Sequence, residues 1–296
     1  IGYEALSTAN YSIALGASSE ASGINSIAQG TGSKATNTNS IAFGTNSEAS
    51  GLNAVAVGAG AKASETNAIA LGAGSNAAGV NAVAIGAGSE ASGVNAVAIG
   101  AGATASCSNA LAFGAASTAN KSNAIAIGTL AKAEGNDAFA LGTGSEASAT
   151  NASALGTNSV ANQVNGLALG TSSKAIAVNA TAIGADSNAS AKNAIALGSG
   201  SKSEGINSTA LGVDAKASDV QVDPKPVRHE CLRAQQHRGR LGRCYLRGKA
   251  ADSGVSCSIV DRPVFQRESG CRRALLRRRV ACWQLGLRPR RLLAFL

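Results

Sequence analysis

The side chains that could take part in chemistry are distributed unevenly along the 296 residues. Five of the six cysteines and both histidines lie beyond residue 218, and such side chains are the ligands that zinc prefers. The cysteines are separated by 13, 13, 14 and 11 residues, whereas zinc ligands normally come in pairs about two to four residues apart. We therefore predict no metal site and no cofactor. The residues excluded as ligands are Cys231, Cys244, Cys257, Cys271, Cys282, His229 and His237.

Catalysis requires converging titratable groups, and the first 218 residues contain no histidine. Their acidic residues stand singly, and we interpret those that share one position of the repeated pattern as surface charge: Glu20, Glu48, Glu90 and Glu146. Cys107 occupies a turn position that is glycine in other repeats, so we interpret it as a tolerated substitution. Calcium-binding β-rolls need glycine-rich nonapeptides that bear aspartate, and the aspartates of residues 1–218 are too few for them. A phosphate-binding loop needs a Gly-x-Gly-x-x-Gly that opens a helix, and none does so here. We predict no enzyme and no catalytic residue.

A fourteen-residue period organises residues 1–218. The segment NAVAIGAGSEASGV begins at Asn81 and starts again at Asn95. Glycine recurs at every fourteenth position from Gly2 to Gly212, with alanine two residues earlier throughout from Ala14 onward. Asparagine lies five residues before these glycines, replaced by Tyr11 and Asp137. A fixed period of this kind predicts one structural unit stacked about fifteen times.

Within one repeat, alternation predicts a strand that ends at Gly86. Val83 and Ile85 lie on one face and Ala82 and Ala84 on the other, which is the period of two that a strand requires. A second short strand is predicted over residues 87–92, with small residues inward and charges in water. The asparagine tolerates left-handed geometry at the next turn, and its amide can bond to the asparagines above and below.

Stacked copies of this unit predict an all-β fold, a parallel β-solenoid or β-roll of about fifteen 14-residue coils. At about 4.8 Å per layer the rod is on the order of 70 Å long. Both faces of the first strand are apolar, but a thin coil encloses only one of them, so the other face must be covered. We expect identical chains to cover it. The residues expected to carry this architecture are Gly58, Gly72, Gly86, Gly100, Asn53, Asn67, Asn81, Asn95, Val83, Ile85, Val97 and Ile99.

The composition changes abruptly near residue 218. Residues 1–218 hold eight lysines, no arginine and eleven acidic residues, for a net charge of −3. Residues 219–296 hold sixteen arginines, two lysines and six acidic residues, for a net charge of +12. We therefore predict two segments, a repeat domain over 1–218 and an arginine- and cysteine-rich tail over 219–296.

The repeats NAVAIGAGSEAS, NSIAFGTNSEAS (39–50) and NAIALGSGSKSE (193–204) resemble the YadA-like heads of trimeric autotransporter adhesins. The resemblance covers residues 1–218. It implies a homotrimer of left-handed parallel β-rolls displayed on a stalk above the outer membrane of a Gram-negative bacterium. It also implies attachment to host cells, matrix proteins or other bacteria, as a virulence factor without catalysis.

The tail departs from that family, whose chains end in a neck, a coiled-coil stalk and a β-barrel anchor. Residues 219–296 contain no heptads and no set of alternating ten-residue strands. The chain also opens inside a repeat without a visible signal peptide, so we expect a fragment that reaches the outer membrane only through an anchor that this sequence lacks. Three interpretations of the tail stay open: translation out of frame, an unstructured basic segment, and an arm that binds nucleic acid or anionic membrane. No nucleic acid partner is expected.

Two other functions fit the repeat domain. A structural spacer that projects other domains has the same sequence requirements as an adhesive head. An ice-binding solenoid needs a flat threonine ladder, and threonine does follow six of the repeat glycines, but alanine interrupts the column from Ala59 to Ala115. The sequence does not identify the ligand.

Overall fold

The computed structural model describes residues 1–218, 257–261 and 278–282. The chain divides into two compact units, Ile1–Gln221 and Val222–Leu296. Every fourteen residues of the first unit form one coil, which contains a three-residue strand, a turn, a two-residue strand and a second turn. The glycine that ends each three-residue strand also begins the first turn.

The two kinds of strand form two sheets. The wide sheet has fifteen strands: Ile13–Leu15, Ile27–Gln29, Ile41–Phe43, Val55–Val57, Ile69–Leu71, Val83–Ile85, Val97–Ile99, Leu111–Phe113, Ile125–Ile127, Phe139–Leu141, Ser153–Leu155, Leu167–Leu169, Thr181–Ile183, Ile195–Leu197 and Thr209–Leu211. The narrow sheet has sixteen strands: Leu6–Ser7, Glu20–Ala21, Lys34–Ala35, Glu48–Ala49, Lys62–Ala63, Asn76–Ala77, Glu90–Ala91, Thr104–Ala105, Thr118–Ala119, Lys132–Ala133, Glu146–Ala147, Val160–Ala161, Lys174–Ala175, Asn188–Ala189, Lys202–Ser203 and Lys216–Ala217.

All neighbouring strands in both sheets are parallel and pair residues fourteen positions apart. Val83 lies opposite Val97 and Ile85 opposite Ile99, and the narrow sheet keeps the same offset. Backbone hydrogen bonds join each coil to the next, for example from Gly86 N to Leu71 O at 2.7 Å. The expected all-β parallel solenoid of about fifteen coils is thereby confirmed.

The interior of the solenoid contains only small side chains. The buried side chains of the described residues are all alanine or serine, and most have no exposed surface. Ala82 and Ala84 are among them, so the alanine face of the strand points inward and Val83 and Ile85 point outward. Either apolar face of the strand could have pointed inward. The alanine face does so because the space between the two sheets is too narrow for larger side chains.

The second strand is shorter than the sequence pattern predicts. Residues 87–92 were expected to be extended, but only Glu90–Ala91 forms a strand. The preceding residues form a turn that is closed by a bond of 3.2 Å from Ser89 N to Gly86 O. Gly88, the third residue of that turn, has φ +61°, a left-handed conformation that glycine adopts without strain. A turn within residues 86–89 leaves too few residues for a longer strand.

In the tail, Cys257–Asp261 and Arg278–Cys282 form an antiparallel pair, with Cys257 opposite Cys282. The sequence analysis did not predict these two strands. The expectation of a disordered or out-of-frame tail otherwise lies outside the described residues. So do Cys231, Cys244, Cys271 and both histidines.

The two glycines of the first turn predict losses of stability of different size for the same substitution. A Cβ at Gly86 would lie 2.6 Å from the carbonyl oxygen of Gly100, and φ there is +129°, so Gly86→Ala should destabilise the fold by more than about 3 kcal/mol. A Cβ at Gly88 would meet nothing within 4 Å, and Ala116 holds the equivalent position at φ +53°, so Gly88→Ala should cost about 1–2 kcal/mol. Urea unfolding measures both, and equal losses would contradict the stacking argument.

Candidate functional site

The surface of the solenoid consists of columns, because every coil presents the same positions at nearly the same place. Four of these columns carry the side chains that could recognise a partner or hold the coils in register. They are an asparagine ladder at the second turn, an apolar stripe on the wide sheet, a charged column on the narrow sheet, and a threonine-containing column at the first turn.

The asparagine ladder (the residues five before each repeat glycine) is a directional chain of hydrogen bonds. The Nδ2 atom of each asparagine donates to Oδ1 of the asparagine one coil later, at 3.0 Å from Asn53 to Asn67, from Asn67 to Asn81 and from Asn81 to Asn95. All four residues have φ between +56° and +58°. Asparagine is among the few residues that adopt this conformation readily, so the same side chain that permits the turn also bonds the coils together.

Asp137 interrupts the ladder. It accepts a bond of 2.9 Å from Asn123 Nδ2, but a carboxylate has no proton to donate to the next coil. Within the described solenoid no hydrogen bond joins Asp137 to Asn151, and the ladder resumes with the 3.3 Å bond from Asn151 to Asn165. The ladder therefore consists of two segments, residues 25–137 and 151–207.

The repeat glycines form a column of close backbone contacts. Gly58, Gly72, Gly86 and Gly100 have φ between +129° and +139°. A Cβ on any of them would approach the carbonyl of the glycine in the next coil to between 2.4 and 2.6 Å. At these positions the absence of a Cβ leaves room for the backbone of the next coil.

The apolar stripe comprises the first and third side chains of every wide-sheet strand. Val83, Ile85, Val97 and Ile99 belong to it, and all four are partly exposed. The exposed fraction of the side chain reaches 50% at Phe113 and 58% at Leu211 in the last coil. The stripe continues through all fifteen strands with four polar interruptions: Gln29, Ser153, Thr181 and Thr209. Contiguous exposed apolar surface of this extent is typical of a protein–protein contact.

The charged column points outward from the narrow sheet. Glu20, Lys34, Glu48 and Lys62 follow one another in register, so charges of opposite sign lie on adjacent strands. Opposite charges at directly paired positions are favourable across strands. Three glutamates in the column also accept local bonds, such as that from Ser92 Oγ to Glu90 Oε1 at 2.9 Å. This arrangement suits a solvated outer surface.

The threonine column at the first turn is exposed but discontinuous. Thr129, Thr143, Thr157 and Thr171 occupy four successive coils, whereas alanine occupies the five coils from Ala59 to Ala115. The described solenoid therefore lacks the continuous, flat row of threonines that an ice-binding solenoid needs.

The described residues contain no group of three or more histidine, cysteine, aspartate or glutamate side chains that could hold a metal ion. Cys107 is a free, half-buried thiol that donates to Asn120 O at 3.1 Å. Within the described part of the chain, no helix is long and apolar enough to cross a membrane.

Sequence reasoning missed two features. The inward serines were expected only to be small, yet Ser89 Oγ also donates to Gly86 O at 2.9 Å and fastens the first turn, a bond that recurs in many coils. Exposed apolar residues at some of the second turns were also missed, including Ile24, Leu52 and Val94. One residue per repeat gives no alternation to detect, so only its position before the ladder asparagine could have revealed it.

Comparison with known proteins shows a family match and a similarity to a solved structure. The family model described as "YadA head domain repeat (2 copies)" matches eleven segments between residues 1 and 221. The crystal structure of the collagen-binding domain of the Yersinia adhesin YadA is 28% identical, covering 66% of this chain and 76% of that chain with a TM-score of 0.24. No curated protein matches the chain.

The gap in the ladder predicts a stabilising substitution. Asp137→Asn supplies the missing donor to Asn151 and should raise the free energy of unfolding by about 0.5–1 kcal/mol. Asn81→Asp removes a donor from an intact segment and should lower it by a similar amount. Urea unfolding of the two variants beside the wild type tests this, and a loss of stability in Asp137→Asn would contradict the role given to the ladder.

Proposed function

The chain belongs to the family of YadA head domain repeats, and from that premise we propose that it attaches bacteria to host cells, matrix proteins or other bacteria. The family is a non-catalytic adhesin domain, and membership implies a location at the bacterial surface. The observation that carries the proposal is the match of these repeats along residues 1–221, in which every coil presents the same outward columns.

The assembly we propose is a homotrimer of left-handed β-rolls, exposed outside the outer membrane of a Gram-negative bacterium. The apolar stripe supports this proposal because nothing within residues 1–218 covers it, and sister chains offer a matching surface. With three copies of fifteen coils, individually weak contacts to a ligand can add up to firm attachment.

We propose that ligand binding is distributed along the rod. The geometry of the coils is uniform along the rod, because the outward position of the narrow sheet and the corner of the first turn recur in every coil, although the side chains at them vary. The same uniformity favours a second function, that of a spacer which holds another domain away from the cell.

Deletion of whole coils separates a distributed adhesin, a localised site and a spacer. Removing residues 81–122 or residues 151–192 deletes three coils each and rejoins the chain in register. A distributed adhesin should lose binding in proportion to the coils removed, three in fifteen, in both variants. A localised site should disappear in one variant and persist in the other.

The measurement is binding of the full chain to immobilised collagen, to other matrix proteins and to cultured cells. Collagen is the first probe because the similar solved structure is described as a collagen-binding domain. If the full chain binds none of these surfaces, the adhesive function is contradicted and the spacer remains.

A further inference from the structure

A small apolar patch interrupts the polar outer surface of the narrow sheet. Each coil presents two outward side chains on this sheet, the first residue of the strand and the residue that follows the strand, such as Glu90 and Ser92. In the described coils after the first one, these positions hold polar residues or alanine with two exceptions. The exceptions are Val160 and Ile176, which lie in neighbouring coils.

Two valines at the second turn enlarge this patch. Val164 and Val178 occupy the same position in the two coils, and a backbone hydrogen bond of 3.0 Å from Asn179 N to Val164 O joins their turns. The exposed fraction of the side chain is 42% at Val164, 38% at Ile176 and 37% at Val178, and Val160 is half-buried. We call these four residues the outer patch: Val160, Val164, Ile176 and Val178.

The outer patch is contiguous. Val160 pairs with Lys174 in the sheet, and Ile176 lies two residues further along the paired strand. One strand spacing and two residues separate the Cα atoms of Val160 and Ile176 by roughly 8 Å, a diagonal distance that large side chains can bridge. Only Ala177 separates Ile176 from Val178, so the patch continues from the sheet to the second turn.

The fold does not require aliphatic residues at these positions. The residues that point into the solenoid here are the buried Ala161 and Ala175. Threonine and serine hold the same outward positions in other coils, for example at Thr118 and Ser148. A cluster of exposed aliphatic side chains with polar residues around it is typical of a contact with another protein.

The outer patch lies on the opposite side of the solenoid from the apolar stripe. The stripe belongs to the wide sheet, whereas Val160 and Ile176 point outward from the narrow sheet. A second copy that covers the stripe therefore leaves the outer patch exposed. Its occupant is a molecule outside the proposed trimer.

The two ends of the outer patch differ in charge. Lys174 pairs with Val160, and Lys192 takes the position of Val178 one coil later. Both lysines are exposed, and neither ammonium group has an ion-pair partner among the described residues. On the other side of Val160 the paired residue is Glu146. This arrangement favours a partner that is apolar at its centre and acidic on the side of the two lysines.

We propose that the outer patch binds an extended acidic segment of a partner protein. Aliphatic side chains of that segment cover the four residues of the patch, and its carboxylates lie against Lys174 and Lys192. This inference rests on the proposed adhesive function and gives the chemistry of one partner. It adds a localised contact to the binding that is distributed along the rod.

A protein segment fits this surface better than a small molecule does. The outward face of a sheet is open, whereas sites for small molecules are concave and enclose most of the ligand. Protein contacts have an apolar centre and a polar rim, and charges near the centre select the partner and its orientation. One outer patch is small, but a trimer presents three, so weak binding at each is strengthened when several are engaged.

The test measures binding of two synthetic peptides to the full chain by fluorescence anisotropy. In both peptides isoleucine alternates with serine, and a run of glutamates follows in one and a run of lysines in the other. The wild type should bind the acidic peptide about tenfold more tightly than the basic peptide. Equal binding of the two peptides, or no binding of either, would overturn the inference.

Replacement of the aliphatic residues tests the centre of the contact. Val160→Thr with Ile176→Ser introduces residue types that other coils carry at these positions, so the solenoid should remain folded, which circular dichroism checks. This variant should bind the acidic peptide about tenfold more weakly than the wild type. Unchanged affinity would show that the outer patch is not the binding surface.

Reversal of charge tests the lysines separately. Lys174→Glu with Lys192→Glu should reverse the preference, so that the basic peptide binds more tightly than the acidic one. Lys132→Glu with Lys121→Glu makes the matched change in earlier coils, at one strand position and one second turn, and should keep the preference of the wild type. The inference fails if both variants keep that preference or if both lose it.

Two other occupants would give different results. Binding to vesicles of anionic phospholipid that is tighter than binding to the acidic peptide, and is lost in Val160→Thr with Ile176→Ser, would assign the outer patch to a membrane. A lower mass of the same variant in sedimentation equilibrium would assign it to a second copy of the chain. Either result overturns the inference.

Attachment to cultured cells separates this inference from the proposed function. If the wild type and Val160→Thr with Ile176→Ser attach equally well, the adhesive function stands and the outer patch is overturned as a binding site. Weaker attachment of the variant supports the inference. If the wild type itself attaches to no cell and no matrix protein, the adhesive function fails, and with it the role given to the patch in adhesion.

Discussion

The fold depends on an interior that admits only alanine and serine. Between the wide and narrow sheets every buried side chain of the described solenoid is one of these two, in fifteen successive coils. Small side chains let the sheets approach, and the approach excludes anything larger. Adding even one methylene to such packing is costly, because the neighbouring coils place identical alanines directly above and below it.

This constraint moves the large apolar residues outward. A typical domain buries its valines, leucines and isoleucines, and the resulting core stabilises a single chain. Here those residues form the apolar stripe, so a large part of the hydrophobic stabilisation is realised only when another molecule covers it. Cohesion within one chain comes instead from bonds between coils, in the two sheets and along the asparagine ladder. We therefore expect the proposed assembly to stabilise the fold of each chain in addition to these bonds.

Much of this architecture could be predicted from the sequence because one register is repeated without error. The strand ending at Gly86 and the identity of the fold follow from alternation and from period. The choice of the inward face could not be predicted, since Ala84 and Val83 are both apolar and the pattern alone does not give the width of the interior. The exposed valine at the second turn, Val94, was missed because a single residue per turn has no alternation to reveal it. The second strand was predicted too long because Gly88 was not recognised as the third residue of a tight turn.

The mass of the full chain in solution tests the central claim most directly. Sedimentation equilibrium over a wide range of concentrations should give the mass of three chains, with dissociation accompanied by loss of β-structure or by aggregation. A monomer that stays soluble and retains cooperative β-sheet unfolding would show that the outward apolar residues need no partner, and would contradict the account.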